Sequence, residues 1–572
     1  MKWVLEYLKP LRKRISIGIT IKIIGTVAEL MIPFLLSYIL DNVIKSNDPK
    51  KIVFYGIIMA ICAIIACVGN IIANRMAAKT TMLFSTQMRK NLFYKTLNLS
   101  SRSTDRFTIP SLESRITSDT YNVQNFIGMM QRMGIRAPIL LIGGTVITMI
   151  MDRKLALVML ATLPLIFIVV YSISRLGVPL YSKVQQSVDG MVRVVREDAQ
   201  GIRVIKALSK VDYENARYDK ANLTLKRNET KAGVIMGIVN PVMTLFMNMG
   251  IVAVVAVSAS LVSKGESSSA TVIAFMQYFT LISMAMMSLS RMFVSYTKCA
   301  ASANRISLVM SEESELQICE DDGNGDNTYH ISFENVSFSY LGKTNNINNV
   351  SFAIKKGETL GIIGATGSGK STLLRLLMRF YDTNSGVVRI NGKDVRSYTP
   401  EELTAMFGVV FQNDFIYADT IEENIRFGRD ISTEDIIEAT KIAQAYDFIT
   451  SFSDGFSHSV STAGTNLSGG QRQRLLISRA IAGRPEILIL DDSSSALDYK
   501  TDANLRQALS TALPDSTIIT VAQRVSSVKN CDLILVIENG EIIGCGKHDE
   551  LIENCAEYKE ISDSQMGGAF LD

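Results

Sequence analysis

The chain has 572 residues, more than one ordinary domain, so at least two domains are expected. A 47% hydrophobic and 20% charged composition excludes a disordered chain, and seven cysteines over this length exclude a small disulfide scaffold. The net charge of +4 hides a division: residues 1–310 carry 37 Lys/Arg against 16 Asp/Glu (net +21), and residues 311–572 carry 22 against 39 (net −17). A basic, apolar half followed by an acidic, more polar half predicts a membrane domain and then a cytosolic one. The cysteines contain no CxxC pair and read as reduced thiols in a cytosolic compartment, with no metal site.

At the N-terminus, Lys9, Arg12, Lys13 and Arg14 precede a long apolar run with no small-residue cleavage site. This predicts a retained first membrane helix rather than a signal peptide. Six apolar stretches follow in order: Ile15–Leu40, Ile52–Ala73, Ile135–Met151, Leu155–Leu176, Val234–Val262 and Thr271–Leu289. Each approaches or exceeds the ~20 residues that a spanning helix needs. The gaps at 74–134 and 177–233 are long, helical in periodicity and basic. The charge rule therefore places them, and both termini, in the cytoplasm. Helices that continue past the bilayer into two cytoplasmic hairpins have the outline of an exporter.

Within the spans, Lys22 stands close enough to Arg14 to snorkel to the cytoplasmic interface. Glu29 lies deeper. It either lines a cavity for a cationic substrate or, as the favoured reading, pairs with a neighbouring helix. Pro33 is expected to kink its helix. The methionines of the last two spans, among them Met236, Met243, Met247, Met276 and Met284, are read mainly as packing or lipid-facing residues, with an adaptable pocket as the alternative.

Residues 311–328 carry seven acids and no bases, which reads as a solvated linker. Asp322, Asn324 and Asp326 imitate the start of a calcium loop. Asn327 takes the place of the required glycine and Phe333 that of the bidentate Glu, so calcium is rejected. From Tyr329 onward strands and helices alternate. A buried strand at Glu358–Gly364 leads into Gly364, Gly367, Ser368, Gly369, Lys370, Ser371 and Thr372, and then into an apolar helix. This is the spacing of a phosphate loop. Its glycines let backbone N–H groups curl around phosphates, Lys370 reaches the β/γ-phosphates, and Ser371 holds Mg²⁺. ATP with Mg²⁺ is the expected ligand. A second strand, Ile487–Leu490, ends in Asp491 and Asp492, where a carboxylate can hold the metal. Between these lies Leu467, Ser468, Gly469, Gly470 and Gln471, followed by a basic helix with Arg472 and Arg474.

Leu467–Gln471 lies upstream of Asp491 and downstream of a phosphate loop, and in this order the chain resembles the ATP-binding cassette (ABC) family. The resemblance covers essentially all of 330–560. It implies that Tyr340 stacks on adenine, that Gln412 senses magnesium and the membrane domain, and that Ser495–Asp498 is the D-loop. Ser468, Gly469, Gly470, Gln471 and Asp498 would then complete the ATP site of a second subunit. The first half is similar to the six-helix exporter plan of the same family, with a coupling turn near Asn98–Arg106 and a second one after Gly201–Lys206. The implied fold is multidomain: a six-helix all-α transmembrane domain over 1–310, an acidic linker over 311–328, and an α/β P-loop nucleotide-binding domain over 329–572.

Two positions depart from the family pattern. Asp492 stands where the family usually has a catalytic Glu, and Gln523 stands where it has a switch His. The shorter carboxylate sits back by about 1 Å, and an amide cannot carry imidazolium charge. Ser461–Ala463 also departs from the usual segment before the signature. The resemblance then implies the degenerate-site subunit of a heterodimeric exporter in the cytoplasmic membrane. The alternatives are a slow homodimeric exporter, an uptake system on the same fold, and an ATP-gated regulatory membrane subunit. The acidic second half opposes nucleic-acid binding. The transported molecule is not legible in the sequence; membrane lipid and a second half-transporter are the expected surroundings.

Overall fold

The computed structural model describes residues 2–264, 267–313, 316–321, 323, 325–340, 342, 344–493 and 496–566. The chain divides into two compact units. One comprises Met1–Asn98 with Phe107–Glu312, and the other Leu99–Arg106 with Glu313–Asp572.

The first unit is helical throughout. Among the described residues, five helices are long and apolar enough to cross a membrane: Trp3–Ser46, Pro49–Leu97, Ile109–Met151, Thr244–Ser263 and Ser269–Met310. The expected segment Leu155–Leu176 lies on the helix Arg153–Ala207, and many of its side chains fall outside the described residues. In the most apolar stretch of Pro49–Leu97 only 6% of the residues are buried, and Ile57, Ile61, Ile64, Val68 and Ile71 face outward. So large an apolar exposure fits hydrocarbon rather than water.

Close approach holds the first two long helices together. A Cβ on Gly69 would stand 3.3 Å from Cα of Gly25, tighter than ordinary contact, so a larger residue at Gly69 requires the two backbones to give slightly. The last long helix is tied to the first by Tyr278, fully buried, whose hydroxyl donates to the Leu30 carbonyl at 2.6 Å. Lower down, Arg305 pairs with buried Asp119, which also accepts from Ser302 at 2.8 Å.

Lys22 is buried at 4% exposure, and its ammonium donates to Asn70 at 2.7 Å and Asn74 at 3.1 Å on the neighbouring helix. Glu29 takes the favoured role of helix partner, bound by two nitrogens of Arg136 at 2.6 and 3.2 Å. The helix Arg12–Tyr38 continues through Pro33. The stretch expected as one span from Val234 is split between helices Val211–Gly237 and Val239–Ser263. Pro241 has no N–H to give the Gly237 carbonyl, so the ladder breaks there.

Among its described residues the second unit contains ten strands: β1 (Ile331–Phe338), β2 (Ile347–Ile354), β3 (Thr359–Ile363), β4 (Ser385–Ile390), β5 (Lys393–Asp394), β6 (Phe407–Val410), β7 (Ile487–Asp491), β8 (Thr517–Val521), β9 (Leu533–Glu538) and β10 (Glu541–Gly546). A four-stranded antiparallel sheet runs β2-β1-β4-β5, and a six-stranded sheet runs β10-β9-β3-β8-β7-β6. All of the second sheet is parallel except the β9–β10 edge. β7 and β8 are buried at every residue, as strands covered on both faces should be.

The acidic segment that opens this unit is not a free linker. Arg379 donates to the Gln317 carbonyl, Cys319 N–H to Arg396 at 3.0 Å, and Asp394 N–H to the Asp321 carboxylate at 3.1 Å. These contacts run mainly through backbone groups of the segment and of the domain that follows. Ser314, Glu315, Asp322 and Asn324 lie outside the described residues.

Candidate functional site

Four neighbouring parallel strands, β3, β8, β7 and β6, point their carboxyl ends the same way, and the chain leaves each through a residue singled out from the sequence. The phosphate loop Gly364–Gly369 follows β3 and Gln523 follows β8. Asp491 ends β7 with Asp492 next, and Gln412 follows β6. In open α/β sheets this edge is where ligands bind. Here Gly367, Gly369, Lys370, Ser371, Thr372, Gln412, Asp491, Asp492 and Gln523 line one cavity of about 460 Å³.

The loop conformation explains its glycines. Gly367 (φ +84) and Gly369 (φ +110) occupy the left-handed region, and a Cβ on Gly369 would come within 2.8 Å of Ile347. The helix Lys370–Leu377 begins at once and brings its free N–H groups to the cavity. The Lys370 ammonium folds back onto the carbonyls of Gly364 (2.8 Å) and Ala365 (2.7 Å), and buried Ser368 Oγ has no hydrogen-bond partner among the described residues. A cradle with an unpartnered hydroxyl and a lysine held over it fits a polyphosphate. Ser371 Oγ donates to Asp491 Oδ2 at 3.2 Å. These two hard oxygens at one edge of the cradle fit Mg²⁺.

Burial moves the charged groups in opposite directions. The Asp491 carboxyl is pushed above its ordinary value by burial, only partly offset by the bond from Ser371. Burial also holds the Lys370 ammonium below its ordinary value, with Asp491 and Asp492 opposing. Asp492 is raised by burial against a hydrogen bond from Gln412. Its backbone is left-handed (φ +50), fixed by its N–H donating to the Val521 carbonyl at 2.9 Å. Gln523 Nε2 donates to Asp492 Oδ2 at 3.4 Å. The two departures from the family pattern therefore touch each other.

The signature stands apart from this cavity. Ser468 caps the helix Gly469–Ile481 in a reciprocal capping box: its Oγ accepts from Gln471 N–H at 3.3 Å, and its own N–H donates to Gln471 Oε1 at 2.9 Å. Asp498 caps Tyr499–Ala512 and binds both N–H and Oγ1 of Thr501, which hold its carboxyl below the ordinary value. None of Ser468–Gln471 or Asp498 lines the phosphate-loop cavity. Ser495 lies outside the described residues.

Tyr340 reaches the site through its hydroxyl, 3.3 Å from Thr372 Oγ1, with Phe338 and Tyr381 packed edge-on against its ring. Sequence reasoning missed its other partner: Arg375 donates to the Tyr340 hydroxyl at 3.0 Å. It also missed Asn539 and Gly540, which line the cavity; an Asn-Gly pair between two apolar strands is a hairpin signal, and here it joins β9 to β10. Within the same unit, Tyr381 donates to Asp105 on the short segment Leu99–Arg106.

Family models match in two places: the ABC transporter transmembrane region over residues 15–286, and ABC transporter over 347–495. The uncharacterized ABC transporter ATP-binding protein YfiB of Bacillus subtilis is 34% identical over 572 residues, covering 99% of each chain. This chain belongs to the ABC transporter family. Another relative, the uncharacterized ABC transporter ATP-binding protein Mb1304c of Mycobacterium bovis, is 31% identical, covering 98% of this chain and 97% of its own. A bacterial Atm1-family ABC exporter solved with ATP bound superposes with a TM-score of 0.82 over 97% of this chain and 98% of that one, at 22% identity. The fold is thus that of an ABC exporter: a helical transmembrane domain followed by an α/β nucleotide-binding domain. The protein is a multi-pass membrane protein of a family whose exporters work as dimers.

Proposed function

We propose that this chain is one subunit of an ATP-driven exporter in the cytoplasmic membrane, with its N-terminus and nucleotide-binding domain in the cytoplasm. Its own nucleotide site holds ATP and cleaves it slowly. Gly364–Thr372 bind the phosphates, Tyr340 stacks on the base, and Gln412 and Asp492 face the γ-phosphate side. Mg²⁺, held by Ser371, Asp491 and Gln412, would neutralise charge on the β- and γ-phosphates. Asp492 and Gln523 fill the places of a general base and a charged switch less well than Glu and His. Ser468–Gln471 and Asp498 do not line this cavity and would complete a site on a second subunit, for which a chain with Glu and His is the favoured partner.

The observation that carries this reading is the pairing of the two departures, Asp492 and Gln523, beside an otherwise complete phosphate cradle. The test is co-purification with a second half-transporter and measurement of ATPase after removing the partner's catalytic Glu. Turnover should collapse, while Asp492→Asn should cost little. Brisk ATPase by this chain paired only with itself defeats the heterodimer. The intact Ser371–Asp491 pair and the ordered Asp492 favour, as second reading, a homodimer that hydrolyses slowly at two equal sites.

A further inference from the structure

The helical unit contains a cavity of about 250 Å³ lined by Lys22, Asn74, Met129, Arg132, Met133 and Arg136. Three cations at one hollow among spanning helices are costly unless something offsets them. Glu29 offsets one, because Arg136 binds it with two nitrogens. The other two meet only neutral oxygens in the hydrogen bonds recorded among the described residues. Lys22 donates to the amides of Asn70 and Asn74, and Arg132 donates to the Gly128 carbonyl of its own helix at 3.1 Å. Neutral acceptors satisfy the N–H groups but leave the charge in place. The guanidinium of Arg132 lies over Gly128, folded back along its own helix to the cavity wall. Met129 and Met133 supply soft apolar surface beside these charges.

We propose that this hollow binds an anionic head group, phosphate, carboxylate or sulfonate, borne on an apolar body, and that molecules of this class are what the transporter moves. The assignment of transport rests on the exporter reading above; the binding site does not. Lys22 and Arg132 make charge-assisted hydrogen bonds to the anion, Arg136 adds a third donor from its Glu29 pair, and the methionines accept the first carbons of the chain. The volume lies below that of ordinary drug-sized pockets, which fits a head group with its tail outside. A cationic ligand meets a net like charge here, because Glu29, which faces both Arg136 and Lys22, can offset only one of the three cations.

The test is equilibrium binding of radiolabelled dodecyl phosphate to the full chain in phosphatidylcholine nanodiscs, without nucleotide. Saturable binding is expected, displaced by dodecyl sulfonate and not by dodecyltrimethylammonium or dodecanol. Arg132→Gln and Lys22→Gln should each weaken it at least tenfold, and Arg132→Lys should restore most of it. If Lys22→Gln fails to fold, Arg132→Gln decides alone, since its recorded hydrogen bond is local. Inorganic phosphate that competes at millimolar concentration identifies a soluble anion as the source. Phosphate that fails to compete, while dodecyl phosphate binds, identifies an amphiphile. Both variants binding within twofold of the parent, or equal displacement by the quaternary ammonium, overturns the inference. Binding of a fluorescent ATP analogue to the same nanodiscs is measured separately, so loss of nucleotide binding counts against the exporter reading and leaves the anion site standing.

Discussion

The Gln523 carboxamide donates to the Asp492 carboxylate at 3.4 Å, and Gln412 hydrogen-bonds the same group. In a hydrolytic cassette these positions hold a base aimed at water and a switch aimed at phosphate. Here the two side chains hold each other. Burial raises the Asp492 carboxyl above its ordinary value and the bond from Gln412 opposes that shift only in part, so what the contact with Gln523 limits is the aim of the carboxylate rather than its basicity. The short reach of Asp and the neutral amide thus act together.

Replacing both residues separates this effect from drift. In the chain purified alone, Asp492→Glu with Gln523→His should raise ATPase by on the order of 10²-fold, the cost assigned to a misplacement of about 1 Å. Either change alone should give less, since each leaves the other's defect in place. In a complex with a Glu- and His-bearing partner, the same pair should alter turnover less than twofold. Steady-state ATPase of the four preparations decides it, and an unchanged rate in the chain alone removes Asp492 as the limiting group.

The phosphate cradle makes a sharper claim about binding. Lys370→Met removes the charge held over Gly364 and Ala365 and should weaken a fluorescent ATP analogue at least tenfold, with secondary structure unchanged. Ser371→Ala should instead spare binding in chelator and abolish most of the gain on adding Mg²⁺, because its partner is Asp491. Equal Mg²⁺ gains in parent and Ser371→Ala would show that the metal is held elsewhere.

In the helical unit, the Glu29–Arg136 pair is intermediate in exposure, 21% and 42% of the two side chains. Its loss should therefore cost between the values for surface and buried pairs, about 1–3 kcal/mol. Glu29→Gln should lower the unfolding midpoint in detergent, and the exchange Glu29→Arg with Arg136→Glu should recover part of it. A midpoint that does not move in Glu29→Gln shows the pair to be idle.

What the sequence revealed and what it concealed follow from distance along the chain. The cradle was legible because Gly364–Thr372 is contiguous, and a strand followed by glycines and a helix has little freedom in how it folds. Asp491 could be placed because it closes a short apolar strand, and Gln412 through the family resemblance. The acceptors of Lys22, Asn70 and Asn74, were not legible because they lie 48 and 52 residues away on another helix. Arg375 was missed for the same reason: its partner Tyr340 is 35 residues distant. The acidic run at 311–328 was read from composition, which does not record that Arg379 and Arg396 lie beside it. The break at Ile238 was within reach, since Pro241 stood in the sequence as a missing donor.

The shifted groups of the cradle set a pH window for nucleotide binding. Asp491 must be ionised to hold Mg²⁺, and burial raises its pKa; its charge is present above that raised value and lost as pH falls through it. Lys370 must be charged to hold phosphate, and burial lowers its pKa; its charge is present below that lowered value and lost as pH rises through it. Affinity for the Mg²⁺ complex should therefore fall on both sides, at less acid and less alkaline pH than ordinary Asp and Lys would give. The two limbs separate by substitution. Asp491→Asn should remove the Mg²⁺-dependent part of the acid limb and leave the alkaline one, and Lys370→Met should do the reverse. Titrating the fluorescent analogue from pH 5 to pH 10, with and without Mg²⁺, gives both. The metal-free titration subtracts the protonation of the nucleotide's own phosphates, which would otherwise imitate Asp491. An acid limb of equal Mg²⁺ dependence in parent and Asp491→Asn would move the metal ligand off β7.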